Sequence, residues 1–251
     1  MQSSKPIEPT DTATRKPTRK RTAVVRAYGG VGPEERKAER RKRLLDAALV
    51  VFGQHGYHDA TVRQVCGEAK LTERYFYESF KGMSELFHAL YTQLNSELMP
   101  QTVAALAAAP YEPMALVEAA LRSFYGYIQN NPARARVLLI DTVSISARTT
   151  DTANDVVRDY SNLLRQFIKA LYPDLESLNI NLGLMVAGLI GATIHVATHW
   201  ARGGFNKSLD QVVAAGLMQY QGIHMRYLQL KDEAARAPAK DASAKATKAT
   251  A

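Results

Sequence analysis

The chain has 251 residues, 46% of them hydrophobic and 22% charged, a composition that indicates a packed core and not a disordered chain. Its single cysteine, Cys66, excludes an internal disulfide and a cysteine-rich zinc site, and favours a reducing compartment such as the cytoplasm. The formal net charge is +8. Residues 1–33 carry seven basic and two acidic side chains, and residues 34–43 carry six basic and three acidic side chains. The excess therefore lies at the N-terminal end and indicates a polyanionic partner there.

The two ends of the chain differ from its middle. Residues 1–33 are rich in Pro, Thr, Lys and Arg without apolar periodicity, which predicts a disordered basic arm. Residues 231–251 form a low-complexity Ala/Lys tail, and the polar N-terminus predicts no secretory signal. The most apolar stretch, residues 182–194, is too short to span a bilayer, so we expect a core helix there and no membrane partner.

The region between these ends is predicted to be all-α. Apolar residues recur at steps of three and four, and no segment of useful length alternates with a period of two. Gly, Pro, Ser and Thr supply the expected helix ends. Nine helices are predicted, at residues 34–55, 62–69, 73–79, 82–108, 114–130, 133–142, 153–171, 182–202 and 209–230.

The second and third predicted helices form the most informative pair. Each has a threonine in the N-cap position, Thr61 and Thr72, and only two or three residues separate them. So short a connection cannot fold back antiparallel, so the helices cross steeply, as in a helix-turn-helix. The third helix would bury Phe76 and turn Glu73, Arg74 and Tyr75 outward. In this motif such first-turn positions enter the major groove, where Arg reads guanine and Glu reads cytosine.

Three local sequences give a family resemblance: Phe-Gly-Gln-His-Gly-Tyr at 52–57, the helix-opening Thr61, and Tyr-Phe-Tyr-Glu-Ser-Phe-Lys at 75–81. With them, residues 43–91 resemble the DNA-binding domain of the TetR (tetracycline-repressor-like) family. The resemblance implies phosphate contacts from Thr61 and Tyr77, and base contacts from the first turn of the third helix. The predicted DNA-binding residues are Arg43, Thr61, Thr72, Glu73, Arg74, Tyr75, Tyr77 and Lys81.

Two positions depart from the family pattern. Lys70 stands in the turn where the family usually has Gly, and a left-handed conformation there would store about 1–2 kcal/mol of strain. Met83 stands where the family favours a phosphate-binding Lys, so Lys81 is expected to substitute. The predicted domains are the helix-turn-helix domain at 34–82 and a helical regulatory and dimerisation domain at 83–230.

The regulatory domain is expected to form a homodimer. Residues 199–208, with the helix that follows, resemble the family's last two helices, which pair with a second subunit as a four-helix bundle. Small residues in the eighth helix permit such close approach, although they could instead pack within one subunit. A dimer would place two recognition helices on a palindromic double-stranded DNA operator. The predicted interface comprises Gly183, Ala187, Gly188, Gly191, Trp200, Leu217 and Tyr220.

The resemblance also implies a small, apolar effector bound between the fifth to eighth helices. The candidate pocket residues are Phe124, Tyr125, Tyr127, Ile128, Leu138, Asp141, His195 and His199. Each of them could instead be an ordinary core or interface residue. The two histidines are four residues apart, but no third ligand accompanies them, so no metal site and no cofactor are predicted.

The combined prediction is a bacterial transcriptional repressor, cytoplasmic and associated with the nucleoid, that a small molecule releases from DNA. An enzyme is not predicted, because the sequence has no phosphate-binding Gly loop, nucleophile elbow or base paired with a nucleophile. The alternative is a DNA-binding regulator or architectural protein without a small-molecule ligand. Competition with random DNA would distinguish the architectural protein, and a thermal-shift screen the ligand-free regulator.

Deleting residues 1–33 is expected to weaken binding to DNA of every sequence. The slope of log Kd against log salt should also flatten, because each neutralised phosphate contributes about 0.9 to it. Fluorescence anisotropy at several KCl concentrations measures both effects. A control lacking residues 237–251, which carry three lysines, should keep the slope. If the N-terminal deletion leaves the slope unchanged, the arm only solubilises the protein.

Overall fold

The computed structural model describes residues 32–141, 147–178 and 180–249, without the side chains of 147–152, 176 and 237–249. Residues 1–31, which make up nearly all of the predicted basic arm, lie outside the described residues. Within the described residues every regular element is a helix and none is a strand, so the predicted all-α class is confirmed.

Nine α-helices are present in the described part of the chain. They are α1 (Pro33–His55), α2 (Val62–Ala69), α3 (Glu73–Ser79), α4 (Met83–Ala108), α5 (Pro113–Gln129), α6 (Pro132–Ala135), α7 (Ala147–Leu171), α8 (Leu182–Arg202) and α9 (Leu209–Ala249). A π-helical turn, Arg136–Ile140, continues α6, and a 3₁₀ turn, Leu175–Leu178, follows α7. We call Arg136–Ile140 the π turn below.

Three boundaries differ from the sequence prediction. The helix predicted at 133–142 is one α turn followed by the π turn, a change that apolar periodicity does not report. Helix α7 begins at residue 147 and not 153, because its first turns are polar and lack the apolar pattern on which the prediction relied. Helix α9 continues past residue 230 to Ala249, since the Ala/Lys-rich sequence there consists of strong helix formers.

The caps of the short helices are partly as predicted. Thr61 begins α2 with a complete capping box: its hydroxyl accepts from the Gln64 amide, and the Gln64 side chain accepts from the Thr61 amide at 2.8 Å. Thr72 occupies the N-cap position of α3, but its side chain makes no capping hydrogen bond. The predicted side-chain cap at Thr72 is therefore wrong, and α3 depends more on its burial against α1.

Lys70 ends α2 in the left-handed conformation, with φ 52° and ψ 45°. The amide of Leu71 donates to the Cys66 carbonyl at 3.0 Å, and the amide of Lys70 donates to the Gly67 carbonyl at 3.2 Å. These two bonds form a Schellman motif, which fixes the direction in which the chain leaves α2. The turn of the helix-turn-helix is therefore built on a residue that has a Cβ where glycine would be unstrained.

One hydrophobic core extends from the N-terminal helices into the regulatory helices. It includes Phe52, Phe76, Phe87, Tyr125 and Trp200, and so crosses the predicted boundary between residues 82 and 83. The rings of Phe52 and Phe87 meet edge to face with centroids 5.4 Å apart. A second, smaller cluster lies between α7, the 3₁₀ turn, α8 and α9. Helix α4 is therefore the structural link between the two regions.

Replacing Lys70 with Gly is expected to stabilise the protein by about 1 kcal/mol, because it removes the left-handed strain of a residue with a Cβ. Urea unfolding followed by circular dichroism measures the change. Lys70→Ala is the matched control, since it removes the same charge but keeps the Cβ. If Lys70→Ala stabilises as much as Lys70→Gly, charge and not backbone strain explains the effect.

Candidate DNA interface and internal cavity

The outer face of α3 holds polar side chains at the surface. Phe76 is fully buried and fixes the helix on the core, whereas Glu73 is exposed. The Arg74 side chain is 83% exposed, and Tyr77 is 59% exposed although it is large and aromatic. The first turn of α3 therefore presents a guanidinium and a carboxylate to solvent, with a phenol three residues after Arg74. This is the arrangement that base and phosphate contacts require.

Two arginines of α1 support α3 from behind. The Arg40 guanidinium lies 4.5 Å from the centre of the Tyr75 ring, and Arg41 lies 4.2 Å from that of Phe80. Arg41 also donates to the Ser79 carbonyl at 3.0 Å, at the C-terminal end of α3. Tyr75 is consequently half-buried, which corrects the prediction that it points outward like Arg74. The basic run at residues 36–43 was the available signal for these contacts.

Two other predicted DNA-binding residues, Arg43 and Thr61, make side-chain hydrogen bonds within the protein. Arg43 donates to the carbonyls of Ala69 and Lys70 and so ties α1 to the end of α2. The Thr61 hydroxyl donates to Gln64 Oε1 at 2.8 Å as part of the cap. Lys81 has an exposed side chain, while its backbone amide donates to Glu85 at 2.9 Å. Thr72 is exposed beside Glu73.

A cavity of about 390 Å³ lies between α4, α5, α7, α8, α9 and the π turn. This volume falls within the usual range for small-molecule sites, and the walls are mainly aliphatic and aromatic. Phe124 and Leu138 line it, as predicted. Much of the wall comes from α7 and α9, including Phe167, Tyr160 and Tyr227, which the sequence interpretation missed. The strongly amphipathic pattern of α7 could have indicated its contribution.

The other six predicted pocket residues lie outside the cavity lining. Tyr125, Tyr127 and Ile128 are packed inside the core. His195 and His199 are exposed side chains of α8. The described residues contain no group of three His, Cys, Asp or Glu side chains that could hold a metal ion. Apolar periodicity identified the buried helices correctly, but it did not identify which buried residues face the cavity.

Asp141, the sixth of these residues, connects the regulatory region to the end of α1. Its Oδ2 accepts a hydrogen bond from the Tyr57 amide at 3.0 Å, and Arg136 Nε lies 3.7 Å from the same oxygen. Arg136 also donates to the Gly53 carbonyl at 3.5 Å. Gly53 packs so closely that an added Cβ would lie 2.4 Å from that of Ala133. The prediction that Asp141 lines the pocket is wrong, because its carboxylate joins two parts of the core.

The π turn is shared between the cavity and this junction. Leu138 and Leu139 face the cavity, while Arg136 at the start of the turn and Asp141 just after it hold the segment Gly53–Tyr57. A π turn contains one extra residue relative to an α-helix, and such turns occur frequently at functional sites. The π turn and Asp141 therefore connect the cavity wall with the end of α1.

Helices α8 and α9 expose an apolar surface, which we call the α8–α9 face. It includes Leu184 (73% exposed), Met218 (69%) and Met225 (61%), together with the exposed small residues of α8. In the described residues, α8 is the one helix long and apolar enough to cross a membrane, and a single such helix is weak evidence for a span. Only 17% of its most apolar 18-residue window is buried in the subunit. The exposed predicted interface residues are Ala187, Gly188 and Gly191.

The remaining predicted interface residues are buried or half-buried in the subunit. Trp200 is 3% exposed, and its indole N–H donates to the Lys207 carbonyl at 3.1 Å. Tyr220 lines the cavity and shares a hydrogen bond of 3.1 Å with Thr193. Gly183 and Leu217 are half-buried. Trp200 is therefore corrected to a core residue, because its ring is buried within the subunit, whereas Tyr220 is half-buried and its place in an interface stays a prediction.

Burial raises the pKa of the Asp141 carboxyl above its ordinary value of 3.8, while the Tyr57 amide and Arg136 oppose the shift. The folded state therefore binds this proton more tightly than the unfolded state, and ionisation of Asp141 lowers stability as the pH rises through that pKa. Asp141→Asn, which keeps an acceptor for Tyr57, should remove this decline. Asp141→Leu should cost about 1–3 kcal/mol by leaving the amide unpaired. Urea unfolding between pH 4 and 8 tests both, and equal stability of the two variants would contradict the proposed bond.

Comparison with known proteins identifies the same helix-turn-helix segment as the geometry. Residues 44–90 match the model of the family described as bacterial regulatory proteins, tetR family. The uncharacterized HTH-type transcriptional regulator YdgC of Bacillus subtilis is 38% identical over 64 residues, which cover 26% of this chain and 33% of that protein.

The similarity to solved structures extends over more of the chain. The fatty acid degradation regulator FadR of Bacillus halodurans has a TM-score of 0.63 at 18% identity, covering 75% of this chain and 95% of that one. FadR of Bacillus subtilis, solved with stearoyl-CoA, has a TM-score of 0.63 at 14% identity, covering 71% and 96%. At such identities the similarity shows the fold. The match to the tetR family model therefore covers the helix-turn-helix segment, and the solved structures show the fold over most of the chain.

Proposed function

We propose that this protein is a sequence-specific DNA-binding repressor that works as a homodimer and is released from its operator by a small apolar molecule. The observation that carries the proposal is the first turn of α3, where Glu73 and Arg74 stand in solvent on a helix anchored by buried Phe76. A merely solvated surface would not need a short helix that is anchored by a buried aromatic ring and held from behind by two arginines.

Arg74 is the proposed base-reading residue. Its Nε lies 3.0 Å from Glu78 Oε1, an exposed ion pair that contributes little stability and can be exchanged for the edge of a guanine. Tyr77 and Lys81 are proposed to contact phosphates, together with the N-terminal end of α2 at Thr61. Arg43 and Tyr75 are proposed to act indirectly, by positioning α2 and α3.

A second copy of the chain is proposed to cover the α8–α9 face. The exposed leucine and methionines would be costly to leave in water, and the small residues of α8 allow two helices to approach closely. A two-fold dimer would place two α3 helices on one side of the duplex, which favours a palindromic operator. In this proposal residues 34–82 read DNA and residues 83–230 dimerise and bind the effector.

The cavity is the proposed effector site. Its walls are mainly apolar, and the stearoyl-CoA of the Bacillus subtilis FadR structure shows that a protein of this fold can hold a long apolar chain. An occupant would press on Leu138 and Leu139, and the π turn would pass the displacement to Gly53 and Tyr57. Because the coupling is reciprocal, operator DNA should weaken effector binding by the same factor.

The match of residues 44–90 to the tetR family model supports a soluble regulator of the bacterial cytoplasm. Association with the nucleoid and the lack of a catalytic activity are part of the proposal. The described lining of the cavity, which is mainly apolar and contains no Asp, Glu, Lys or Arg, supports binding and not catalysis.

Genome-wide mapping of bound sites, followed by anisotropy titration on one mapped site, tests this proposal. Replacing Arg74 and Tyr77 together with Ala is expected to lower affinity for the site by roughly 10- to 100-fold, since a bidentate base contact contributes about 1–3 kcal/mol. The double variant Arg158→Ala, Tyr111→Ala removes the same side-chain types from exposed positions on or between regulatory helices and should keep full affinity.

Random DNA at the same salt concentration should bind wild type about 10³-fold or more weakly than the mapped site. If the Arg74 and Tyr77 replacements leave affinity for the mapped site intact, α3 is not the reading helix. If random DNA binds equally well, the protein is an architectural binder.

A further inference from the structure

We propose that the cavity takes an uncharged, mainly apolar molecule bearing one hydrogen-bonding oxygen, and that the hydroxyl of Tyr160 on α7 binds that oxygen. This inference rests on the proposed function, because it names the chemical class of the effector. It is carried by two independent features of the cavity, the charges of its wall and the hydrogen bonding of its polar groups.

The wall of the cavity carries no counter-charge for an ion. None of its lining residues in the described part of the chain is Lys, Arg, Asp or Glu. The titratable groups among them are tyrosines and His224, and His224 Nδ1 is already 2.8 Å from the Tyr172 hydroxyl. An unpaired carboxylate or ammonium ion buried among aliphatic and aromatic groups is strongly disfavoured. The wall therefore selects neutral molecules over ions of the same length.

Most polar groups of the wall already have partners. The Thr193 and Tyr220 hydroxyls are 3.1 Å apart, and the Asn95 amide donates to the Tyr91 carbonyl at 2.8 Å. The Thr102 hydroxyl donates to the Leu98 carbonyl at 3.2 Å and lies 3.2 Å from Ser123 Oγ. These groups are satisfied without a ligand, so they give no indication of where its polar atom would lie.

Tyr160 differs from them. Among the described lining residues it has the one buried side-chain polar atom without a partner at ordinary hydrogen-bond distance. Burial raises its pKa to about 12, and a weak hydrogen bond with Thr102, whose own hydroxyl donates to the Leu98 carbonyl, offsets this only in part, so the phenol remains protonated and can donate. Tyr125 also has an unpartnered buried hydroxyl, but it lies outside the cavity lining. A buried hydroxyl without a partner is costly, and an oxygen on the occupant would remove that cost.

A coenzyme A thioester is a useful contrast. Its acyl chain would suit the apolar wall, but its phosphates would need cations that the described lining does not supply. We therefore expect the effector of this chain to differ in head group from the stearoyl-CoA bound by the Bacillus subtilis FadR. A hydrocarbon bearing an alcohol, ketone or phenol oxygen would pack against the apolar wall and accept a hydrogen bond from Tyr160.

The test is a displacement assay on the full-length protein without DNA, using the neutral fluorophore N-phenyl-1-naphthylamine. The competitors share a ten-carbon chain: 1-decanol, decanoate, decyltrimethylammonium and decanoyl-CoA at pH 8, with 1-decene as the analogue lacking oxygen. We expect 1-decanol to displace the fluorophore at a concentration at least about tenfold lower than either ion, the coenzyme A thioester or 1-decene.

The residue is tested with Tyr160→Phe and the matched variant Tyr125→Phe, which removes a buried hydroxyl that also lacks a partner but lies outside the cavity lining. Tyr160→Phe should lower the affinity for 1-decanol by roughly 2- to 10-fold, as expected for one lost hydrogen bond. The affinities for the fluorophore and for 1-decene should stay unchanged. Tyr125→Phe should leave the preference for 1-decanol over 1-decene unchanged. If Tyr160→Phe does not fold, the comparison of 1-decanol with 1-decene on the wild-type protein still decides whether an oxygen is recognised.

The proposal would be overturned if decanoate, decyltrimethylammonium or decanoyl-CoA bound as tightly as 1-decanol. It would also be overturned if no competitor displaced the fluorophore, or if Tyr160→Phe left the affinity for 1-decanol unchanged. Because no DNA is present, these outcomes leave the test of operator binding unaffected. Loss of operator recognition would in turn leave the ligand preference intact.

Discussion

The aromatic contact between α1 and α4 is the interaction on which the rest of the molecule depends. Phe52 and Phe87 are fully buried, and Tyr57 packs edge to face against Phe87 with centroids 5.3 Å apart. The helix-turn-helix segment is too short to bury an adequate core alone, so its core has to continue into the regulatory helices. The orientation of α3 is therefore set partly by residues that never approach DNA.

The position of Tyr57 makes this contact a point of control. Its ring belongs to the aromatic cluster, and its backbone amide is held by Asp141, just after the π turn. The same π turn supplies Leu138 and Leu139 to the cavity wall. A molecule in the cavity and the end of α1 thus meet through one five-residue segment. Close packing at Gly53 and Ala133 leaves little space to absorb a displacement, so movement would be transmitted and not lost.

The cavity and the α8–α9 face are both apolar, but the first lies inside the subunit and the second lies on its surface. The cavity is lined by residues of one subunit, and its few polar groups are mostly paired. The α8–α9 face instead leaves leucine and methionine side chains in solvent. The same helices contribute to both, with Tyr220 turned inward and Met218 turned outward on α9. Ligand binding and self-association would therefore share a scaffold, and each would influence the other.

The sequence by itself determined the class of fold and the position of the helix-turn-helix. Threonine caps, three- and four-residue apolar spacing, and a short connection act locally, so Thr61, Phe76 and the exposed Arg74 could be identified without tertiary information. The resemblance also identified Lys70 as a left-handed position, because a turn of fixed geometry requires one whatever residue occupies it.

Only the tertiary structure decided which buried side chains border empty space. Phe124 and Tyr125 are adjacent and both apolar, yet one lines the cavity and the other is packed in the core. Successive residues of a helix differ by about 100° in direction, and the neighbouring helices determine which direction holds a cavity. The placement of Asp141 against Tyr57, of Trp200 inside the subunit and of Tyr160 without a partner likewise depends on residues distant in sequence. Local patterns report that a residue is buried, whereas its contacts are set by how the helices pack.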